Sequence, residues 1–245
     1  MQQVEVEMVP VWDRGIRWFH WINALSVLAL LGTGLVIYNS KTLGITGDAK
    51  LLMKELHAWS GYVFATNLVW RIVQGFRGSH FARWQAISPF SRDYLAELSA
   101  YLRSLRGGES RHYLGHNPLG RLMILLFFLL LITQAISGLV LAGTDLYYPP
   151  LGYWIAQWVA AAGIEPASLV GGDKSMVDAV AWEEMRTFRE PFIWLHEQIF
   201  FVLLGAVILH VAGVVHAELR ERSGLVSAMI TGDKIVTKRP VDMPQ

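Results

Sequence analysis

Four stretches of apolar residues, each about long enough to cross a lipid bilayer, constrain this chain more than any other feature. They lie at about 17–38, 56–76, 118–142 and 192–216. A helix needs roughly 20 consecutive apolar residues to span the hydrocarbon core. Only 17% of the residues are charged, against about 25% in a soluble domain. The sequence therefore predicts an all-α fold, an integral membrane four-helix bundle that residues 1–245 form as a single domain.

Lysines and arginines are unevenly divided between the segments that connect these stretches. Fifteen of the 21 lie before or at the start of the first stretch, between residues 71 and 121, or after the fourth stretch. By the positive-inside rule those segments and both termini are cytoplasmic. We therefore expect a multi-pass protein of the bacterial inner membrane, in contact with the lipid bilayer, whose long loop at about 143–191 is periplasmic.

A shorter segment on the cytoplasmic side, SRDYLAELSAYLRSLRGG, has leucines at helical spacing. Leu95, Leu98, Leu102 and Leu105 recur every three or four residues, and the arginines take the other faces. This pattern predicts a cytoplasmic amphipathic helix that lies on the inner leaflet. The periplasmic loop is nearly fifty residues long, and a loop of that length is more often functional than idle.

The chain contains no cysteine. It can form neither a disulfide nor a thiolate metal site, and it lacks the usual ligands of an iron–sulfur cluster. Histidine is then the strongest nitrogen ligand available. Ionisable residues inside a membrane are rare and usually functional, so the histidines in the apolar stretches are the candidate ligands.

Four histidines form two pairs that match in depth across the predicted membrane. His57 and His196 fall on the outer side (the outer pair), and His20 and His210 fall on the inner side (the inner pair). His196 and His210 are separated by fourteen residues, which is about 21 Å along a helix and leaves them within about 40° on one face. A b-type haem takes axial nitrogens from facing helices. The arrangement predicts two b haems, one on each pair, although any one of these histidines alone could be a simple packing or interfacial residue.

Other residues are candidates for contacts with the same cofactors. Arg17 and Arg71 are candidates for binding haem propionates, at whichever surface each faces. Small residues would leave room for a macrocycle between helices, although glycine is also common in membrane helices for close packing. These small residues are Gly32, Gly34, Gly61 and Gly205.

A third group, GHNPLGR, stands at the start of the third apolar stretch. Its members His116, Asn117 and Arg121 are candidates for a quinone pocket near the inner pair. The alternative is that Arg121 anchors to lipid headgroups and that His116 packs at the interface.

The segments around the paired histidines resemble a known family. They are DRGIRWFHWINALSVLALLGTG, ELHAWSGYVFATNLVWRI, GHNPLGRLMILLFFLLLITQAISG and WLHEQIFFVLLGAVILHVAGVVHAELRE, with the tail SAMITGDK. Over nearly the whole chain they are similar to the b-type cytochrome subunit of membrane-bound Ni-Fe hydrogenases, within the wider bacterial dihaem four-helix cytochrome b group. The resemblance implies that His20, His57, His196 and His210 are the ligands of haem iron.

The resemblance also implies a function, that of an electron-transfer subunit of a quinone-linked oxidoreductase. Such a subunit anchors a periplasmic redox partner, the hydrogenase small subunit or an equivalent, and passes its electrons through two haems to quinone, an exchangeable substrate. The outer loop TDLYYPPLGYWIAQWVAAAGIEPASLVGG departs from the family, which leaves the identity of the partner open. We expect no nucleic-acid partner.

Two alternatives keep the haems and change the partner. The chain could serve another periplasmic oxidoreductase or a multihaem chain, or it could be a stand-alone quinol-oxidising cytochrome b. A haem-free membrane transporter or scaffold is the remaining alternative. It would explain a few intramembrane histidines, but it does not explain two matched pairs.

Overall fold

The computed structural model describes residues 7–107, 112–221, 224–236 and 240–243, and within these ranges the chain is mostly helical. The prediction of a largely α-helical fold is confirmed. Four long helices contain the four apolar stretches; three shorter helices lie in the connections, and a fourth follows the last long helix. The helices are α1 Arg14–Tyr38, α2 Gly47–Arg77, α3 Trp84–Ile87, α4 Tyr94–Arg106, α5 Pro118–Leu146, α6 Gly152–Val159, α7 Ala179–Glu221 and α8 Leu225–Thr231.

Three helices among the described residues are long and apolar enough to cross a membrane, namely α1, α5 and α7. The fourth predicted crossing is in α2, which is 31 residues long but less apolar. It carries His57, Asn67 and Arg71 within its apolar stretch, and the buried Asn67 amide donates to the Phe19 carbonyl at 3.0 Å. The membrane passage of α2 and the exact four-helix bundle therefore stay predictions.

The long helices extend beyond the stretches that hydropathy located. Helix α2 begins at Gly47 rather than near residue 56, and α7 begins at Ala179 rather than near residue 192. The reason is that hydropathy finds the lipid-compatible part of a helix, whereas backbone hydrogen bonding continues through polar helix formers such as those in AWEEMRTFRE. Pro191 lies inside α7 without ending it.

The predicted loop at 143–191 is accordingly shorter in the structure. Helix α5 runs to Leu146, so the connection to α7 covers 147–178 and includes α6 and a turn of 3-10 helix at Pro166–Ser168. This connection is folded, because it shares an apolar cluster with the first turns of α7. The cluster consists of Ile155, Ala156, Val159, Leu169 and Met185.

Helix α4 confirms the predicted helix between residues 91 and 108, but its buried face differs from the expected one. Tyr94 and Tyr101 are buried, while Leu95 and Leu102 are exposed. The Tyr94 hydroxyl donates to the Pro118 carbonyl at 2.9 Å. Aromatic residues therefore fix α4 to the start of α5, and the exposed leucines stay available for the predicted contact with the inner leaflet.

Contacts within the chain divide it into two compact units. One comprises Met1–Ile22, Asn67–Leu129 and Gly205–Gln245, and the other comprises Asn23–Thr66 and Leu130–Leu204. We call the first the sheet unit and the second the cavity unit, after the features described below. The inner pair lies in the sheet unit and the outer pair lies in the cavity unit.

The sheet unit contains a small antiparallel sheet that the sequence did not predict. Strand β1 (Glu7–Pro10) pairs with β2 (Asp233–Val236) in the register Glu7 with Val236 and Pro10 with Asp233. The backbone N–H groups of Val11 and Trp12 both donate to the Gly232 carbonyl, at 2.9 and 3.0 Å. The tail SAMITGDK is thereby attached to the residues that precede α1.

Gly232 is required at the turn into β2. Its φ is +102°, and a Cβ there would lie 2.8 Å from the Trp12 carbonyl oxygen. A side chain would meet both backbone strain and a close contact.

Lys234, on β2, holds the segment that precedes α5. Its side chain is buried, and its Nζ donates to three successive carbonyls, those of Tyr113 at 3.4 Å, Leu114 at 2.6 Å and Gly115 at 3.2 Å. It also lies over the Trp12 ring, 5.4 Å from the centroid. One ammonium group therefore satisfies a run of backbone acceptors that have little access to water.

Replacing Lys234 with methionine should destabilise the protein by about 1–3 kcal/mol, because buried carbonyls lose their charged donor. Thermal unfolding of the purified chain in detergent measures this change. The matched control is Lys174→Met, since Lys174 is exposed. Equal unfolding of the Lys234 variant and the natural chain would mean that these carbonyls find other donors.

Candidate functional site

The outer pair lines a cavity of about 520 Å³ in the cavity unit. Residues of α1, α2, α5 and α7 form its walls, and most of them are apolar. His57 enters from α2 and His196 from α7, and their ring centroids are 6.2 Å apart with an angle of 74° between the ring planes. The structure thus brings together the two histidines that the sequence assigned to one site.

A hydroxyl group holds the Nδ1 atom of each imidazole. Thr33 Oγ1 lies 2.9 Å from His57 Nδ1, and Ser137 Oγ lies 2.9 Å from His196 Nδ1. Both hydroxyls donate their own proton to a backbone carbonyl four residues earlier, each at 2.8 Å. They therefore accept from Nδ1–H, which leaves the Nε2 lone pair of each ring for a metal.

These residues fit a haem held by two imidazoles. A metal–imidazole bond is about 2 Å long, so two rings on one iron have centroids roughly 6 Å apart once the ring radii are added, close to the observed 6.2 Å. The Gln134 amide nitrogen lies 3.1 Å from His196 Nε2, and its Oε1 is buried with no hydrogen-bond partner among the described residues. Gln134 has to give up this contact when Nε2 binds iron.

Glycines stand beside both imidazoles. A Cβ on Gly34 would lie 3.4 Å from His57 Cε1, and a Cβ on Gly138 would lie 3.2 Å from His196 Cε1. Gly61 also lines the cavity. Gly32 and Gly205, in contrast, are exposed, and a Cβ on either would have no neighbour within 4 Å among the described residues.

Sequence reasoning missed Gly138 and three polar residues of this site, although a signal for two of these polar residues was present. Thr33 with Gly34 on α1 and Ser137 with Gly138 on α5 form the same hydroxyl–glycine pair. Each pair supplies an acceptor for Nδ1 and space for the ring edge. The third polar residue is Gln134, for which the sequence gives no comparable signal.

Charged side chains also line the cavity. Asp145 pairs with Lys54 at 2.9 Å and with Arg189 at 2.5 Å. No role was predicted for these residues, because they lie outside the apolar stretches. The charged residues of the lining are Lys41, Lys50, Lys54, Asp145, Arg189 and Glu197.

The inner pair is placed in the sheet unit with different surroundings. His20 lies within electrostatic range of His210, and its Nδ1 is buried with no hydrogen-bond partner among the described residues. Aromatic rings pack edge-on against both imidazoles, Trp21 against His20 at 5.2 Å and Phe127 against His210 at 5.5 Å. His20 thus offers a buried nitrogen without a partner among the described residues, and each imidazole packs on one aromatic ring, which fits a haem ligand.

Arg71, predicted to bind a propionate, lies in the same unit as the inner pair. Its side chain is only 5% exposed, and Nη1 has no hydrogen-bond partner in the described part of the chain. The guanidinium is within 6 Å of three ring centroids, those of Phe19, Trp84 and Phe128. A buried cation with a free donor fits a carboxylate partner.

Arg17, the other predicted propionate contact, has a structural role in the same unit. Its Nη1 donates to the Ile230 carbonyl, next to the Met229 carbonyl that accepts from Trp21 Nε1 at 2.9 Å. Its Nε is buried without a partner among the described residues. Arg17 therefore joins α1 to the C-terminal tail and keeps one donor for a further contact.

The predicted quinone residues lie at the start of α5, also in the sheet unit. Asn117 Oδ1 accepts from the Gly120 N–H at 2.7 Å, which caps α5. Arg121 donates from Nη2 to the Ser88 carbonyl at 2.6 Å and pairs with Glu97 at 2.9 Å. Both side chains thus have packing partners, and their part in a quinone pocket stays a prediction.

His116 packs against Trp12, with ring centroids 4.8 Å apart. Burial, together with the positive charges of Lys234, Arg71 and Arg121 and the nearby His210, lowers the pKa of His116 to about 3. The imidazole is therefore uncharged at physiological pH. It can donate or accept one hydrogen bond without bringing a charge to the site.

The chain is similar over most of its length to known proteins. A family model described as prokaryotic cytochrome b561 matches residues 11–232. The probable Ni/Fe-hydrogenase B-type cytochrome subunit of Rhizobium leguminosarum bv. viciae is 27% identical over 247 residues, which cover 96% of this chain and 92% of that protein. The corresponding protein of Cupriavidus necator is 27% identical over 238 residues, with 93% and 87% covered.

A shorter match is to the probable Ni/Fe-hydrogenase 1 B-type cytochrome subunit of Escherichia coli K12. It is 28% identical over 154 residues, which cover 58% of this chain and 64% of that protein. The resemblance seen in the histidine segments is confirmed by these matches. A b-type cytochrome carries haem b, and the apolar helices α1, α5 and α7 indicate a membrane protein. Since the family model covers most of its length, the chain belongs to the prokaryotic cytochrome b561 family.

Proposed function

We propose that this protein is the membrane-anchoring cytochrome b subunit of a periplasmic Ni-Fe hydrogenase, and that it passes electrons through two b haems to quinone. The observation that carries the proposal is the outer pair, two imidazoles 6.2 Å apart in a cavity, each with Nδ1 fixed by a hydroxyl. The printed names of the relatives, Ni/Fe-hydrogenase B-type cytochrome subunits, support the choice of partner.

The chain's own contribution is to hold two iron centres at fixed places and to control their surroundings. Haem b supplies one-electron redox chemistry when bound. His57 and His196 would hold one haem, and His20 and His210 the other, each as neutral nitrogen ligands. Thr33 and Ser137 would orient the first two imidazoles, and the apolar walls would exclude water from the iron.

The proposed direction of electron flow rests on the predicted orientation. With both termini in the cytoplasm, the outer pair faces the periplasm, where the hydrogenase small subunit would dock. The folded 147–178 connection supports a docking role, because it presents the exposed aromatic residues Tyr153 and Trp154 beside a defined core. Quinone would be reduced near the inner pair, with protons taken from the cytoplasm.

A reduced-minus-oxidised spectrum of the purified full-length chain tests the haem content. We expect α-band absorption of b-type haem and a haem-to-protein ratio of two, because each histidine pair holds one iron. A ratio of one would contradict the two-site proposal, and absence of the band would end the haem assignment altogether.

The partner is tested by co-purification from the native membrane. We expect a Ni-Fe hydrogenase to accompany the chain, and hydrogen gas to reduce both haems in that complex. Haems that respond to a quinol but stay oxidised under hydrogen would contradict the choice of hydrogenase as partner.

A further inference from the structure

We infer that the charged side chains at the cavity form the binding site for the two propionate carboxylates of the outer haem. The centre of this carboxylate site is the group Lys54, Asp145 and Arg189, and Lys50 is a further cation of the cavity lining. The inference rests on the proposed function, since it assumes a haem on the outer pair, and it places that haem's carboxylates on residues other than Arg17 and Arg71.

Charge balance is the first observation. Four cationic and two acidic side chains line the cavity, a net excess of two positive charges. The remaining walls are largely apolar, and three of the charged side chains, Lys54, Asp145 and Arg189, are in contact with one another. A haem presents an apolar macrocycle with two negative carboxylates, which is the complementary distribution.

Position along the helices is the second observation. Lys50 precedes His57 by seven residues on α2, and Arg189 precedes His196 by seven residues on α7. Seven residues return to within about 20° of the same helix face and move about 10 Å along the axis. Both cations therefore lie two turns from their imidazole, on the same side of it along the chain and on the same face.

Unsatisfied hydrogen-bonding capacity is the third observation. Arg189 Nε is buried and has no partner among the described residues, although the guanidinium pairs with Asp145 through Nη1 at 2.5 Å. Arginine binds carboxylates best through two parallel N–H donors. The free Nε gives the site a donor for an incoming carboxylate while Asp145 keeps Arg189 and Lys54 in place.

The test uses the full-length holoprotein and the midpoint potential of the haem that is lost in the His57→Ala variant. A nearby cation favours the reduced form, because reduction adds negative charge. In Arg189→Gln the ratio of reduced to oxidised outer haem at fixed potential should fall about tenfold, which is a downward shift of about 59 mV for a one-electron couple. Asp145→Asn should shift the same haem upward by a similar amount.

An infrared difference spectrum between the reduced and oxidised states separates carboxylate binding from a general field effect. The propionate stretching band of the outer haem should move in Arg189→Gln. The control is Arg186→Gln, because Arg186 is exposed, pairs with Glu183 on the same helix and does not line the cavity. It should change neither the potential nor the band.

Two outcomes overturn the inference. One is a bound outer haem with unchanged potential and unchanged propionate band in Arg189→Gln. The other, should that variant lose the haem, is a shift in Asp145→Asn that is absent or downward. Both outcomes leave the haem on the outer pair of the natural chain, whereas failure of the proposed function would show as a natural chain without that haem.

Discussion

The variant His57→Ala should retain one haem per chain, and His196→Ala should retain the same one. The reason is the geometry of the outer pair, whose ring centroids lie 6.2 Å apart in one cavity. His57 and His196 together would hold the outer haem, so a variant that lacks either imidazole should lose this haem on purification. His20→Ala and His210→Ala should each remove the other haem, because that pair lies in the sheet unit.

Haem content, optical spectra and redox titration of the purified variants measure these losses. The potential that disappears in His57→Ala should be the one that disappears in His196→Ala, and it should survive in His20→Ala. His216→Ala is the matched control, since His216 lies on α7 but is exposed, and it should keep both haems. Loss of the same haem from all four variants would contradict the pairing.

Hydroxyl groups orient the outer histidines, so haem affinity should depend on such partners more at the outer pair than at the inner pair. Removing a group that orients a metal-bound histidine typically costs 10–100-fold in affinity. Thr33 and Ser137 fix Nδ1 at 2.9 Å in the outer pair. His20 Nδ1, in contrast, has no hydrogen-bond partner among the described residues, so its orientation depends on packing against neighbours such as Trp21.

Periodicity and spacing were enough to predict the helices, and the same spacing is the basis of the predicted histidine pairs. Apolar stretches reveal a membrane helix because lipid tolerates little else, and fourteen residues return to nearly the same face whatever the surroundings. The structure places each predicted pair in a single compact unit. The ligation itself stays a prediction, as do the number of haems and the quinone site.

Helix ends, tertiary polar contacts and the small sheet could not be predicted in the same way. Helix α7 continues through a charged segment and through Pro191, where hydropathy drops. Lys234 looks like an ordinary solvated lysine in the tail, yet its role depends on three carbonyls more than a hundred residues away. Contacts at that separation in the chain leave no local pattern.

The charged cavity residues are a second case in which contacts between distant parts of the chain could not be predicted from the sequence. Arg17 and Arg71 were the candidate propionate contacts named from the sequence. Lys54 and Arg189 lie in polar segments, and only the fold brings them to Asp145 and to the cavity. A search for cations seven residues before each histidine would have found Lys50 and Arg189.

Replacing Gly34 with leucine should remove the outer haem, while Gly32→Leu should keep both haems. Gly34 lines the cavity, and a Cβ there already lies 3.4 Å from His57 Cε1. The further atoms of leucine would have to occupy the cavity or displace the imidazole. Gly32 is two residues away on the same helix, is exposed, and has no neighbour for a Cβ within 4 Å among the described residues.

Both substitutions change the stability of α1 in the same way, because replacing glycine with leucine improves helix propensity by under about 1 kcal/mol at either position. A difference between them therefore reports the space beside His57. Haem-to-protein ratios near one for Gly34→Leu and near two for Gly32→Leu are expected, with Gly34→Ala closer to two because a methyl group makes only an ordinary contact with the ring. Two haems in Gly34→Leu at their natural potentials would show that this face of α1 is not part of a haem site.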